Sequence, residues 1–244
     1  HKMATNPDLN KPAFSIESVS IGEKTTIKGM KDPSFVMESL GKTDGGITLA
    51  TTSTTTDINS DQGLLASLST GTTYNVTINA KSNIIKNIVL GFGGYEKTDG
   101  SGFTFGQQPS APVKSIKIRT KKSAGQLLQL DILIPAFSID LNTSTDFNND
   151  DGTLIPLAGK AIVADTYTIT GSWTQSGTTV TGTGFLASTN YCPVGSLLLI
   201  DGNEYKVTAA TDTELTVDSA ITSADGTSTE ITVQGILIDS DKVS

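Results

Sequence analysis

Apolar and polar residues alternate with a period of two along much of this chain. The clearest case is YNVTINA (74–80), with Tyr74, Val76, Ile78 and Ala80 on one face and Asn75, Thr77 and Asn79 on the other. That is the pattern of a half-buried strand. VKSIKIR sets Val113, Ile116 and Ile118 against Lys114, Lys117 and Arg119, and LQLDILIPAF carries Leu128, Leu130, Ile132 and Ile134 at every second position. With Ser-Ala-Gly between them, these runs predict a β-hairpin. Pro135 has no N–H to give to a ladder, which predicts an edge or an end for the second strand. SIESVSIGE, from Ser15, and SFVMES (34–39) predict two further strands, closed by Gly22 and Gly41. Asp44-Gly45-Gly46 is a turn signal, and two β-prone runs follow it, GITLATTS and TTDINSD.

The period changes once. KSNIIKNIVLGFGG places Ile84, Ile85, Ile88 and Val89 at i, i+1, i+4 and i+5, a helical stripe. Ser82 or Asn83 can cap its start, and Gly91, Gly93 and Gly94 end it. One short helix is predicted, the only substantial one. Residues 95–112 read as a Gly/Ser/Pro loop, and SIDLNTSTDFNNDDGTLIPLAGKAIVAD as a polar loop with one or two strands. From about Thr168 short strands alternate with frequent turns, including a hairpin turn at Asp201-Gly202-Asn203 and an alternating run through Leu215 and Val217. The reading is therefore a Pro-containing N-terminal arm (1–14), a β domain (15–167) and a small β module (168–244). The last run, TEITVQGILID, fits the module or a return to the first domain.

Composition agrees with a mainly β chain. Of 244 residues, 36% are hydrophobic and 17% charged, apolar enough for a core and too weakly charged for a disordered chain. The net charge of −8 is unevenly spread. Residues 1–125 hold 14 Lys/Arg and 10 Asp/Glu, whereas residues 126–244 hold 3 and 15. An acidic half of this kind argues against a general grip on nucleic acid, since phosphate binding needs cations, and plain solubility is the other reading of the same charge. Cys192 is the single cysteine, so no intrachain disulfide forms, and it reads as a small apolar residue. No apolar run approaches the ~18 residues of a membrane-spanning helix. No signal peptide is visible, and His1-Lys2 ahead of Met3 reads as a vector remnant.

Candidate chemistry is sparse. His1 is the one histidine, which removes His-based acid–base and metal chemistry from the rest of the chain. LGFGGYEKTDG is Gly-rich but follows a helix instead of opening one, so it is a poor phosphate cradle. In DFNNDDG, Asp146, Asn148 and Asp150 hold positions 1, 3 and 5 of an EF-hand-like oxygen cage. The pattern then fails, because Asp151 stands where the sharp turn needs Gly and Leu157 where a bidentate Glu is needed. These residues stand as a weak metal candidate beside the reading of an ordinary acidic turn. With 6% aromatics and one Trp, Trp173, a sugar-stacking cleft is poorly supplied, and Trp173 reads as a core or interface residue. No cofactor and no enzymatic activity are expected.

TDGGITLATTSTTTDINSDQG (43–63), followed by YNVTINAKSNIIKNIVLGFGG, resembles the tail tube (major tail) proteins of tailed bacteriophages. The likeness lies in Gly45-Gly46-Ile47-Thr48-Leu49, the Asp61-Gln62 step, the helix of Ile84 to Gly94, and LIPLAGKA (154–161), and covers about residues 15–166. It departs from the family pattern at Asn59-Ser60 and at the Val-Leu-Gly-Phe-Gly end of the helix. The C-terminal part resembles small β modules of phage tail and fibre proteins. The matching stretches are Val180-Thr181-Gly182-Thr183-Gly184-Phe185, Ile200-Asp201-Gly202, Tyr205-Lys206-Val207 and Asp212-Thr213-Glu214-Leu215-Thr216-Val217, with Gly195-Ser196 in place of Gly-Asp.

The resemblance implies a β-sandwich or barrel with one short helix, plus the small C-terminal β domain decorating the outside. It implies a virion tail protein made in the host bacterial cytoplasm. Its partners are other copies in hexameric, stacked rings and other phage tail proteins, with DNA passing through without specific binding and no membrane span. The stretch assigned to the neighbouring subunit comprises Thr51, Thr52, Thr54, Thr55, Thr56, Asp57, Asp61 and Gln62. Two other readings fit the composition: a carbohydrate- or receptor-binding adhesin, and another virion component such as a decoration, baseplate or sheath protein.

Overall fold

The computed structural model describes residues 16–60, 63–81, 85–104, 111–121, 129–141, 154–222, 231–234 and 238–243. The chain is mainly β. In order it forms β1 (Ile16–Glu23), α1 (Ile27–Lys31), β2 (Glu38–Ser39), β3 (Thr43–Ser60), β4 (Gly63–Ala80), α2 (Ile85–Phe92), β5 (Tyr95–Glu96), β6 (Phe103–Thr104), β7 (Val113–Thr120), β8 (Gln129–Ile139) and β9 (Ile155–Ala161). There follow β10 (Tyr167–Thr168), β11 (Thr174–Ser176), β12 (Thr179–Thr181), β13 (Leu197–Ile200), β14 (Asn203–Ala210), β15 (Glu214–Val217), β16 (Ile231–Gln234) and β17 (Asp239–Val243). An eight-stranded antiparallel sheet runs β2-β1-β7-β8-β9-β4-β3, with β17 paired to β8. A seven-stranded sheet runs β10-β16-β13-β14-β15-β12-β11.

The alternation read along 74–80 and 113–119 becomes the core of the first sheet. Val76 and Ile78 of β4, Ile116 and Ile118 of β7, Ile134, Phe137 and Ile139 of β8, and Ile155 and Leu157 of β9 are buried together. Ile88, on the apolar stripe of α2, joins them, with Leu90 and Phe92 packed alongside. Phe137 lies across the backbone of Gly159. A Cβ built on Gly159 would meet the Ser138 carbonyl oxygen at 2.1 Å and the Phe137 ring at 2.8 Å, so β9 closes against β8 only with glycine there.

Several local readings change in three dimensions. Asp44-Gly45-Gly46 is not a turn. It lies inside β3 and forms a bulge, since Thr43 pairs with Ala80 and Ile47 already with Ile78. Gly46, at φ +83°, supplies the left-handed step that the bulge needs. The two runs after it, GITLATTS and TTDINSD, merge into one 18-residue strand. Pro135 sits inside β8, between strands on both sides, not at an edge or an end. It is tolerated because Pro135 and Ala136 together face the single residue Ser115 between the pairs Lys114–Phe137 and Ile116–Ile134, a bulge in β8 itself, where no ladder N–H is required. On the other side of β8 the partner changes from β17 (up to Leu133) to β9 (from Phe137) across the same residues. Of residues 34–39 only Glu38–Ser39 form a strand. A helix not predicted from sequence, α1, follows Thr26, whose Oγ1 accepts a hydrogen bond from the Gly29 N–H. The predicted helix spans Ile85–Phe92, and its candidate caps Ser82 and Asn83 lie outside the described residues.

The second sheet encloses its own core of Ile169, Trp173, Val180, Phe185, Cys192, Leu198, Ile200, Tyr205, Val207, Leu215, Val217, Ile231 and Val233. The turn at 201–202 is of type I′: Asp201 and Gly202 both have positive φ, 50° and 80°, and Ile200 pairs with Asn203 across it. The two readings of the last run, module or return to the first domain, divide along the chain. Ile231–Gln234 pairs with β13 and β10, whereas Asp239–Val243 crosses back to β8. The module is thus an insertion between β9 and β17 of the first unit.

Candidate functional site

The most distinctive surface is the β3–β4 hairpin. β9 covers β4 only from Tyr74 to Ala80. Beyond Tyr74, among the described residues, β3 and β4 pair only with each other, down to Ser60 opposite Gly63. At ~3.3 Å per residue the stretch from Thr52 to Ser60 reaches about 30 Å past the sheet. Two further register shifts, between Thr54 and Thr55 and between Ile58 and Asn59, add twist to this ribbon. From Thr51 to Thr73 the sequence has no Lys or Arg. β3 is also the last strand of its sheet.

The structure distributes the sequence-derived residues as follows. Thr51, Thr52 and Thr54 are exposed on β3, where Thr51 pairs with Tyr74, Thr52 with Thr73 and Thr54 with Gly71. The Asn75 side chain donates to the Thr52 hydroxyl. Thr55, Thr56 and Asp57 continue the strand opposite Ser69, Leu68 and Ser67. Asp61 and Gln62, and the metal candidates Asp146, Asn148 and Asp150, lie outside the described residues. Among the described residues no cluster of three or more His, Cys, Asp or Glu is placed to hold a metal ion. Trp173 and Cys192 are buried in the module core, and burial pushes the Cys192 thiol up to about 12, which keeps it neutral.

A polar junction that sequence reasoning did not find lies where the module meets the first sheet. Arg119 of β7 holds Asp131 of β8 through Nε at 2.8 Å and Nη2 at 2.9 Å, and Lys117 reaches the same carboxylate at 2.9 Å. In the next strand Asp241 stands in register with Asp131, and Lys31 of α1 binds Asp241 directly and Asp239 at 3.6 Å. Cations therefore separate carboxylates that strand pairing brings side by side. The Tyr191 hydroxyl donates to Asp239, and the Tyr167 hydroxyl donates to the Tyr191 carbonyl. Lys31 Nζ sits 4.2 Å from the Tyr191 ring centre and Lys28 Nζ 5.7 Å from that of Tyr167. Burial first, then the hydrogen bond to Asp239, raises Tyr191 far above the usual phenol range. These groups come from four distant stretches of chain, so no spacing rule could have joined them.

Burial pushes the Asp131 carboxyl up, but the hydrogen bonds from Arg119 and Lys117 outweigh it and hold the group below the ordinary carboxylate range. A depressed folded-state value means that the stabilisation is complete above the unfolded value of about 4. It is lost as pH falls through the folded value. Asp131→Asn is expected to cost about 2 kcal/mol at neutral pH, less than the full penalty for splitting a buried pair because Arg119 and Lys117 keep partial access to water. Urea unfolding at a series of pH values checks this. The variant should lose stability less steeply in acid than the parent, and an unchanged acid slope would refute the assignment.

Two surface clefts offer no separate chemistry. One, of about 460 Å³, has Ile21, Leu40 and Leu90 in its wall, and its rim cations are paired, Lys86 with Glu38 at 2.7 Å and Lys114 with Glu23 at 2.5 Å. The other, of about 440 Å³, lies over Ser18, Ser20 and the cations Lys31, Lys117 and Arg119, which bind the aspartates just described. No described helix is long and apolar enough to cross a membrane. No protein-family model matches the chain, and no curated protein matches it.

Proposed function

We propose that this chain is a virion structural protein that assembles with copies of itself into stacked rings, as in the tail tubes of the tailed bacteriophages that its sequence resembles. The observation that carries the reading is β3: an 18-residue strand at a sheet edge, Thr-rich and without Lys or Arg, continued by β4 into a long ribbon. Edge strands that must stay single are short, or carry Lys, Pro or inward charges. A two-stranded ribbon is marginally stable in water by itself, and a third strand from another copy stabilises it by backbone pairing. Such a contact joins two different surfaces, and it closes into a ring, hexameric in this proposal, where the rotation between neighbouring copies closes; rings that repeat along an axis form a tube. The balance of −12 in residues 126–244 suits a conduit that DNA passes without being held. The β-sandwich form, the virion location and the other tail proteins as partners belong to the same reading. Negative-stain microscopy of the purified chain at high concentration is expected to show rings or tubes. A chain that remains monomeric by light scattering at every concentration and salt tested would overturn the proposal.

A further inference from the structure

Among the described residues the inserted module and the first sheet have separate cores, joined by one small cluster. The shared apolar cluster consists of Ile27, Met30, Leu133 and Tyr191, with Phe35, Met37 and Tyr167 at its margin. Only the two tyrosines in it belong to the module. An interface this small and this polar does not fix the angle between two units by burial alone, and relative motion is the default for such pairs. Specific polar contacts add to it among the described residues: Lys28 on the Tyr167 ring at longer range, Lys31 on the Tyr191 ring, Tyr191 on Asp239, and Lys31 on Asp239 and Asp241. Asp239 and Asp241 sit on β17, the strand that returns from the module to pair with β8. The same cation therefore grips a module ring and the strand by which the chain leaves the module.

We propose that Lys31, Tyr191, Asp239 and Asp241 form a latch that holds the module at one angle to the first sheet, and that breaking it lets the module swing while both cores stay folded. Lys31 is central because its one ammonium group serves both sides of the junction, and its side chain is only 14% accessible. Replacing it leaves two carboxylates on β17 without their cation and the Tyr191 ring without its lid.

The test is the distribution of distances between spin labels on the full chain carrying Thr48→Cys and Ser188→Cys, two exposed sites on the first sheet and the module. Labelled chain is diluted into unlabelled chain so that only intrachain distances are read. One narrow distance is expected with the latch intact, and a distribution at least about twofold wider with Lys31→Met or Tyr191→Ala. Trp173 emission, from inside the module core, is expected to be unchanged in both. Three results would overturn the latch: a broad distribution in the parent, no widening in either variant, or a red shift of Trp173 emission in both. The last would mean that the contact supports the module core and not its angle.

Discussion

Under the proposed ring assembly, replacing residues 54–71 with Asn-Gly is expected to leave a folded monomer that forms no rings or tubes. The cut falls between Ser53 and Thr72, which pair with each other, and Asn-Gly closes that pair as a two-residue type I′ hairpin. Everything removed lies beyond Tyr74, where β9 stops covering β4, so Val76, Ile78 and the core around them keep their neighbours. The critical concentration for assembly should rise by at least about 100-fold, the equivalent of about 2.7 kcal/mol per subunit contact. Sedimentation and microscopy read the assembly, and the thermal melt reads the fold. Tubes formed at the parent concentration would remove the hairpin from the contact. Trimming both strands together matters. Deleting Thr52–Thr56 alone takes an odd number of residues from one strand and turns its remaining side chains to the opposite face.

Phe137→Ala is the substitution expected to damage the fold most. The ring is fully buried where β7, β8 and β9 meet and fills the space over Gly159 that no Cβ can occupy. Truncating a buried Phe costs about 3–5 kcal/mol through lost burial and the cavity left behind. Total stabilities of about 5–15 kcal/mol make that a large share. Leu186→Ala, on an exposed side chain of the module, serves as control and should stay within about 0.5 kcal/mol. Urea midpoints measure both. A loss for Phe137→Ala of less than about 1 kcal/mol would show that the β8–β9 junction is not closed by this ring.

The strands that alternate cleanly were legible because side-chain direction in a strand is local. Tyr74 to Ala80 buries Val76, Ile78 and Ala80 as its period assigns, and Ile116 and Ile118 lie inside, whereas Val113 is only half-buried and Ser115 is buried where the register with β8 shifts. The helix of Ile85–Phe92 and the turn at Asp201-Gly202 were legible for the same reason, since a stripe and a positive-φ pair are written in adjacent residues. The misreadings share the opposite cause. Asp44-Gly45-Gly46 and Pro135 both mark a break in regular pairing, but a break is equally satisfied by a turn, a strand end or a bulge. Which one occurs depends on the partner strands, β4 for the glycines and β7 for the proline.

The sequence by itself determined that the chain is mainly β, and where its cleanly alternating strands, the amphipathic helix of Ile85–Phe92 and the turn at Asp201-Gly202 lie. Each of these rests on composition or on neighbours a few positions apart. The tertiary structure alone decided that β3 and β4 run on together as one ribbon, that Asp239–Val243 returns to β8 and makes the module an insertion, and that Lys31, Asp131, Tyr191, Asp239 and Asp241 meet at one junction. Those outcomes depend on which strands pair and on where charges find counter-charges across more than a hundred residues of chain, and long-range pairing leaves no periodic trace in the local pattern.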